Sequence, residues 1–136
     1  MREKKKRVIV GAVLLVILIG LIFLVNYLQK VSKYQNTVKN TVIEDIHAED
    51  VADGVYEGEY DVDFIYAKVE VTVEDGRIDN IELLEHRNER GKNAEGIIPR
   101  IIEAQKVDVE AVSGATNSST VIKKAVEKAL VQGKSR

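Results

Sequence analysis

A chain of 136 residues with 20 Lys and Arg, 22 Asp and Glu and no Cys has room for one small domain and an appendage. The missing cysteine excludes disulfides, thiolate metal ligands, Fe–S clusters and a lipidated N-terminal cysteine. Five of the basic residues, Arg2, Lys4, Lys5, Lys6 and Arg7, stand before Val8 against Glu3 alone, leaving 15 basic and 21 acidic residues beyond, a balance that argues against nucleic acid as a partner.

Residues 1–7 read as a basic cytoplasmic tail and residues 8–28 as a transmembrane helix. The unbroken apolar run from Val8 to Val25 suffices, with Tyr27 and Leu28, to cross a hydrocarbon core of about 30 Å. The basic cluster before the run predicts a single pass through the lipid bilayer of the cytoplasmic membrane, N-terminus inside and C-terminal domain outside. Asn26-Tyr27-Leu28-Gln29 lacks the small residues of a signal-peptide cleavage site. Residues 29–50 form a stalk or linker. From Gln29 to about Ile46 a helical rhythm places Val31, Tyr34, Val38, Val42 and Ile46 on one side, a stripe that fits the domain, a neighbouring stalk or simple extension into solvent.

The domain is expected over 51–136. Val55 to Tyr60 reads as a strand, and Ala67, Val69, Val71 and Val73 alternate with polar residues in a second. Asp75-Gly76 supplies a hairpin turn, and Ile78 to Leu84 returns as a third strand with an irregularity at Asp79-Asn80. Tyr56, Tyr60, Phe64 and Tyr66 are core or cross-strand neighbours, or line a planar ligand. The polar run His86 to Lys92 is expected as a surface loop, and Ala94 to Gln105 as a helix with Pro99 in its first turn. The fold class is α+β, a small antiparallel sheet with two packed helices, preceded by the transmembrane helix and helical stalk.

The last segment holds the candidate site. Val121, Ile122, Ala125, Val126, Ala129 and Leu130 draw one buried stripe on a helix from Thr120 to Leu130, which Asn117, Ser118 or Ser119 would cap. Gly114, between Ser113 and Ala115, permits positive φ and close approach of an anionic group, and a helix start suits a phosphate. The plainer possibility is a strand, a tight turn and a capped helix. No nucleophile beside an identifiable base, metal cluster or nicotinamide-binding glycine run is readable elsewhere.

Ser113-Gly114-Ala115-Thr116, with an acidic residue three positions before the serine and a helix after it, resembles the flavinylation motif of the FMN-binding domain family. That family includes the C subunit of sodium-translocating NADH:quinone reductase and the G subunit of its Rnf-type relative. Asp53 to Gly58, Val71 to Ile78 and Ile101 to Gln105 resemble the family's further blocks in the family's order. The resemblance implies FMN joined through a phosphoester to Thr116, with Ser113, Gly114, Ala115, Glu110 and Asn117 around it. Glu110 stands where the family usually has aspartate. It also implies that His86, Gly91 and Lys92 lie close to the flavin, and that a flavin transferase using FAD as donor makes the bond. The function expected is a membrane-anchored extracytoplasmic electron carrier between membrane and external redox proteins. Its rivals are a non-covalent flavin- or ligand-binding or assembly module, and a flavin reductase with its own substrate.

Overall fold

The computed structural model describes residues 1–88 and 92–134, and the chain divides into two compact units, Met1–Lys33 and Tyr34–Arg136. Gly91 lies outside the described residues. The first unit is the greater part of helix α1 (Arg2–Lys39). Its large apolar side chains from Val8 to Leu28 are exposed, and the helix is long and apolar enough to be a candidate membrane span.

Helix α1 stops at Lys39, short of the Ile46 that the apolar rhythm predicts. Thr41-Val42-Ile43 follow, three β-branched residues that lose side-chain freedom in a helix. The Thr41 hydroxyl instead donates to the Thr37 carbonyl at 2.6 Å. In the second unit, the Tyr34 ring lies 5.0 Å from that of Phe64, and Val38 and Ile46 enter the core while Val42 is exposed. The chain then runs along the domain. Ala48 N–H donates to the Gln105 carbonyl at 3.0 Å, Val107 N–H to Ile46 at 3.1 Å, and Ala52 N–H to Gly133 at 2.7 Å.

Strands β1 (Gly54–Asp61), β2 (Tyr66–Glu74) and β3 (Arg77–Arg87) form an antiparallel meander in that order. Asp75 and Gly76 close the second hairpin with φ of 53° and 71°, the pair of positive values that a two-residue type I′ turn requires. Along β2 the buried positions alternate as expected. On β3 their partners are spaced three, two and three apart, because Val73, Val71, Val69 and Ala67 pair with Ile78, Ile81, Leu83 and His86. Two bulges make this possible, one at Asp79 and a second at Leu84, where β3 carries a residue with no opposite number. The first matches the irregularity expected at Asp79-Asn80. The second brings His86 onto the core-facing side of the sheet, so His86 and Arg87 belong to a strand and not to the surface loop predicted from their polarity.

Two helices cover the sheet. Helix α3 (Thr116–Val131) packs on β1 and β2 through Val121, Ile122, Ala125, Val126, Ala129 and Leu130, all buried. Helix α2 (Ile97–Ala104) packs on β3, with Ile97 and Ile101 fully buried and Pro99 in its first turn, where an N–H has no partner to lose. Gln105 ends α2 in the left-handed conformation. Its side chain accepts from Ile78 N–H at 2.7 Å and donates to the Ile78 carbonyl at 3.0 Å, stapling the helix end to β3. A 3-10 turn, Lys92–Gly96, leads into α2.

Candidate functional site

Between α2 and α3 the chain from Val107 to Ala115 has no regular partner strand, and side chains fix it instead. The Arg100 guanidinium, on α2, donates to the carbonyls of Glu110 and Ala111, both at 3.1 Å. Lys123, 8 % exposed, reaches back from α3 to Asp108 Oδ1 at 3.2 Å and to the Val109 carbonyl at 2.9 Å. Ser119, fully buried, accepts from Val112 N–H at 3.1 Å. Ala115 N–H donates to the Val112 carbonyl at 3.0 Å and closes a turn whose third residue is Gly114, at φ 79°. A type II turn needs positive φ there, which explains the glycine.

The helix begins at Thr116, four residues before the apolar stripe indicates. Its N-cap is Ala115, without a side-chain cap bond, so the expected capping by Asn117, Ser118 or Ser119 does not occur. Ser118 and Ser119 lie in the first turn and are buried under the loop, and Ser119 spends its oxygen on Val112. The sequence reading stopped at the last apolar residue of the stripe and so missed one turn of small polar residues. Ser119 N–H donates to the Ala115 carbonyl at 2.9 Å, which leaves the N–H groups of Thr116, Asn117 and Ser118 without an intrahelical acceptor. Thr116 is the first helical residue and is exposed.

Thr116, Asn117, Thr120 and Lys123 form one wall of a groove of about 580 Å³, with Gln35, Val38 and Lys39 of α1, Thr41, Ile43 and Asp108 around the rest. A volume of that order holds a cofactor-sized ligand. A Cβ added at Gly114 would meet nothing within 4 Å, so the turn before Thr116 is open to a bulky group. An accessible hydroxyl, an uncapped helix start and open space beside it fit a phosphate-linked flavin.

The remaining expected residues are dispersed. Glu110 is exposed, and its carboxylate makes no hydrogen bond or ion pair among the described residues, although its carbonyl is held by Arg100. His86 is not among the groove residues. Its side chain is 3 % exposed, with Nδ1 at 3.2 Å from Glu95 Oε1 and at 3.4 Å from the Asn88 amide, while Nε2 is buried without a partner among the described residues. Lys92 opens the 3-10 turn on the surface. Two residues escaped sequence reading. Arg100 and Lys123 are set apart only by their reach across to main-chain carbonyls, which is invisible in helical periodicity.

Comparison with a protein-family model covers this segment. Residues 65–131 match the model of the FMN-binding domain family. An uncharacterized protein of Treponema pallidum (strain Nichols) is 35 % identical over 86 residues, 61 % of this chain and 24 % of that protein. The chain thus spans about a quarter of that relative's length. No solved structure matches. The matched segment holds β2, β3, both packed helices and the Thr116 turn, and residues 65–131 of this chain are an FMN-binding domain of that family.

Proposed function

We propose that the domain carries FMN as a phosphoester on Thr116 and serves as a tethered electron carrier. In this reading the apolar part of α1 crosses the cytoplasmic membrane, Arg2 to Arg7 stay inside and the domain lies outside, passing electrons between membrane and external redox proteins. One observation carries the proposal: within the family-matched segment, Thr116 sits exposed on the first residue of α3, beside an open glycine turn and a cofactor-sized groove. FMN, when attached, supplies one- and two-electron chemistry that no side chain here possesses.

The residues divide the work. Thr116 Oγ1 forms the new P–O bond to the FMN phosphorus of FAD while the pyrophosphate bond breaks, AMP leaves with the bonding pair and the hydroxyl proton passes to a base of the transferase. The first-turn N–H groups and the positive end of α3 then face the phosphodiester charge, an interaction of about 0.3–1 kcal/mol at an exposed helix end. Lys39 adds positive charge along the groove wall, where Lys123 is paired with Asp108. Gly114 and Ala115 leave room for the modifying enzyme.

Intact mass after co-expression with a flavin transferase tests the proposal. The wild-type chain gains the mass of one FMN less one water, and Thr116→Ala does not. Addition to the Thr116→Ala chain would move the attachment to Ser113 or another hydroxyl. A wild-type chain that binds flavin only reversibly would favour the non-covalent module, with Glu110 in place of aspartate as the first residue to exchange.

A further inference from the structure

The loop that presents Thr116 is held at Asp108 by Asp45 and Lys123, at Val112 by Ser119, and at Glu110 and Ala111 between them by Arg100. We infer that Arg100 is a positioning residue for flavin transfer: it fixes the main chain at Glu110 and Ala111, and so sets the span between the Glu110 carboxylate and the Thr116 hydroxyl that a transferase must read together. The inference rests on Thr116 being the acceptor.

Arg100 is suited to this by where it stands and by what it lacks. Its helix is rigidly seated, with Ile97 and Ile101 fully buried on one side and the Gln105 side chain bonded to both polar groups of the Ile78 main chain. A guanidinium projecting from such a base has a fixed origin, and the two N–H groups of its Nη1 can each satisfy one of two successive carbonyls. Both contacts are 3.1 Å and come from one nitrogen. Arg100 makes no ion pair with a carboxylate among the described residues, although Glu103 is on the same helix and Glu110 supplies one of the carbonyls. Its contacts are therefore to backbone shape and not to charge. From the other side the loop is held by Ser119 at Val112 and by Lys123 at Val109. Those two anchors belong to α3 and move with Thr116. Arg100 ties residues 110–111 to α2 and, through Gln105, to the sheet.

Glu110 shows the consequence. Its carbonyl is clamped while its carboxylate is exposed and has no partner among the described residues, which leaves the acid available to a cationic group of a docking enzyme at a defined distance before the acceptor. Without the clamp, the stretch between the anchors at Asp108 and Val109 and the anchor at Val112 would have no side-chain hold at Glu110 and Ala111 among the described residues.

The test uses the full chain in detergent with Arg100→Ala and Arg100→Lys, measured before and after exposure to transferase and FAD. In the unmodified protein, Arg100→Ala should speed amide exchange at Val112 and Ala115 while exchange in β2 and mid-α3 is unchanged. In transfer, it should lower kcat/KM for the acceptor chain on the order of tenfold, as expected when a reacting group loses its fixed placement. Arg100→Lys, a single flexible donor, should restore the thermal midpoint fully and transfer only in part. Equal transfer by Arg100→Ala and wild type, or unchanged exchange at Val112 and Ala115, overturns the role given to Arg100. So does a loss of transfer that follows thermal stability in parallel across both variants. A wild-type chain that never gains FMN refutes the acceptor reading itself, whereas a modified wild type with an equally modified Arg100→Ala refutes the positioning role alone.

Discussion

Gly58 on β1 lies so close to α3 that a Cβ there would come within 2.1 Å of the Ala125 carbonyl oxygen and 2.6 Å of the Ala129 nitrogen. Both are backbone atoms that cannot turn aside. Gly58→Ala must lift the helix from the sheet, and overpacking of this kind costs about 1–3 kcal/mol or more. Thermal unfolding of the detergent-solubilised chain should show a fall of many degrees, and a midpoint within a degree of wild type would refute the contact.

Ser119→Ala removes the acceptor of the half-buried Val112 N–H, which costs about 1 kcal/mol. Asn117→Ala, at a half-buried position with no cap bond to lose, should stay within about 0.5 kcal/mol. Equal losses from the two variants would restore the capping role expected from sequence and contradict the geometry found.

Tyr66 donates its hydroxyl to Glu59 at 2.5 Å, and that bond, reinforced by desolvation and by the charges of Glu59, Glu85 and Asp61, raises its pKa to about 12. The native state therefore keeps a proton that the unfolded chain releases near pH 10. The bond's stabilising contribution is complete below pH 10 and is lost as pH rises through about 12. Absorbance titration of phenolate should show a late-ionising tyrosine that disappears in Tyr66→Phe and moves to lower pH in Glu59→Gln. A late phase that survives in Tyr66→Phe would refute the assignment.

On the outer face of the sheet Glu57, Glu70 and Glu82 stand directly opposite one another across all three strands, with Lys68 at 3.7 Å from Glu57. Like charges in direct register oppose pairing. Glu70→Lys should raise stability by about 0.2–1 kcal/mol in low salt, and the gain should shrink toward 1 M salt, where screening acts within about 3 Å. A gain independent of salt would mean a cause other than charge.

The orientation proposed for α1 makes its own prediction. A reporter active only in the cytoplasm, fused after Arg136, should be silent, and protease added to intact cells should remove the domain. An active reporter would place the domain on the inner side and reverse the proposal.

Much of this architecture was legible in residue order. Alternation in Ala67 to Val73, the Asp75-Gly76 turn and the stripe from Val121 to Leu130 each rest on local geometry that a short window contains. What stayed hidden depends on partners distant in sequence. The Leu84 bulge is defined only by the register of β2, and it alone carries a polar His86 into the interior. The first turn of α3 has no apolar residue to announce it, because it is covered by a loop and not by the sheet. The candidate acceptor Thr116 was readable from the motif around it, but Arg100 acquires its meaning only when α2 and residues 110–111 are brought together.

Helix α3 follows the whole sheet in chain order and also bears Thr116 at its first position. During synthesis, then, the inner faces of β1 and β2 stay bare until the helix that will offer the hydroxyl has itself been made. The hydroxyl reaches its exposed place on a capless helix end only when that helix docks and Ser119 closes beneath it. On the proposed reading, presentation of the Thr116 hydroxyl and completion of the core are one event, and a transferase that read this turn would also be inspecting the fold.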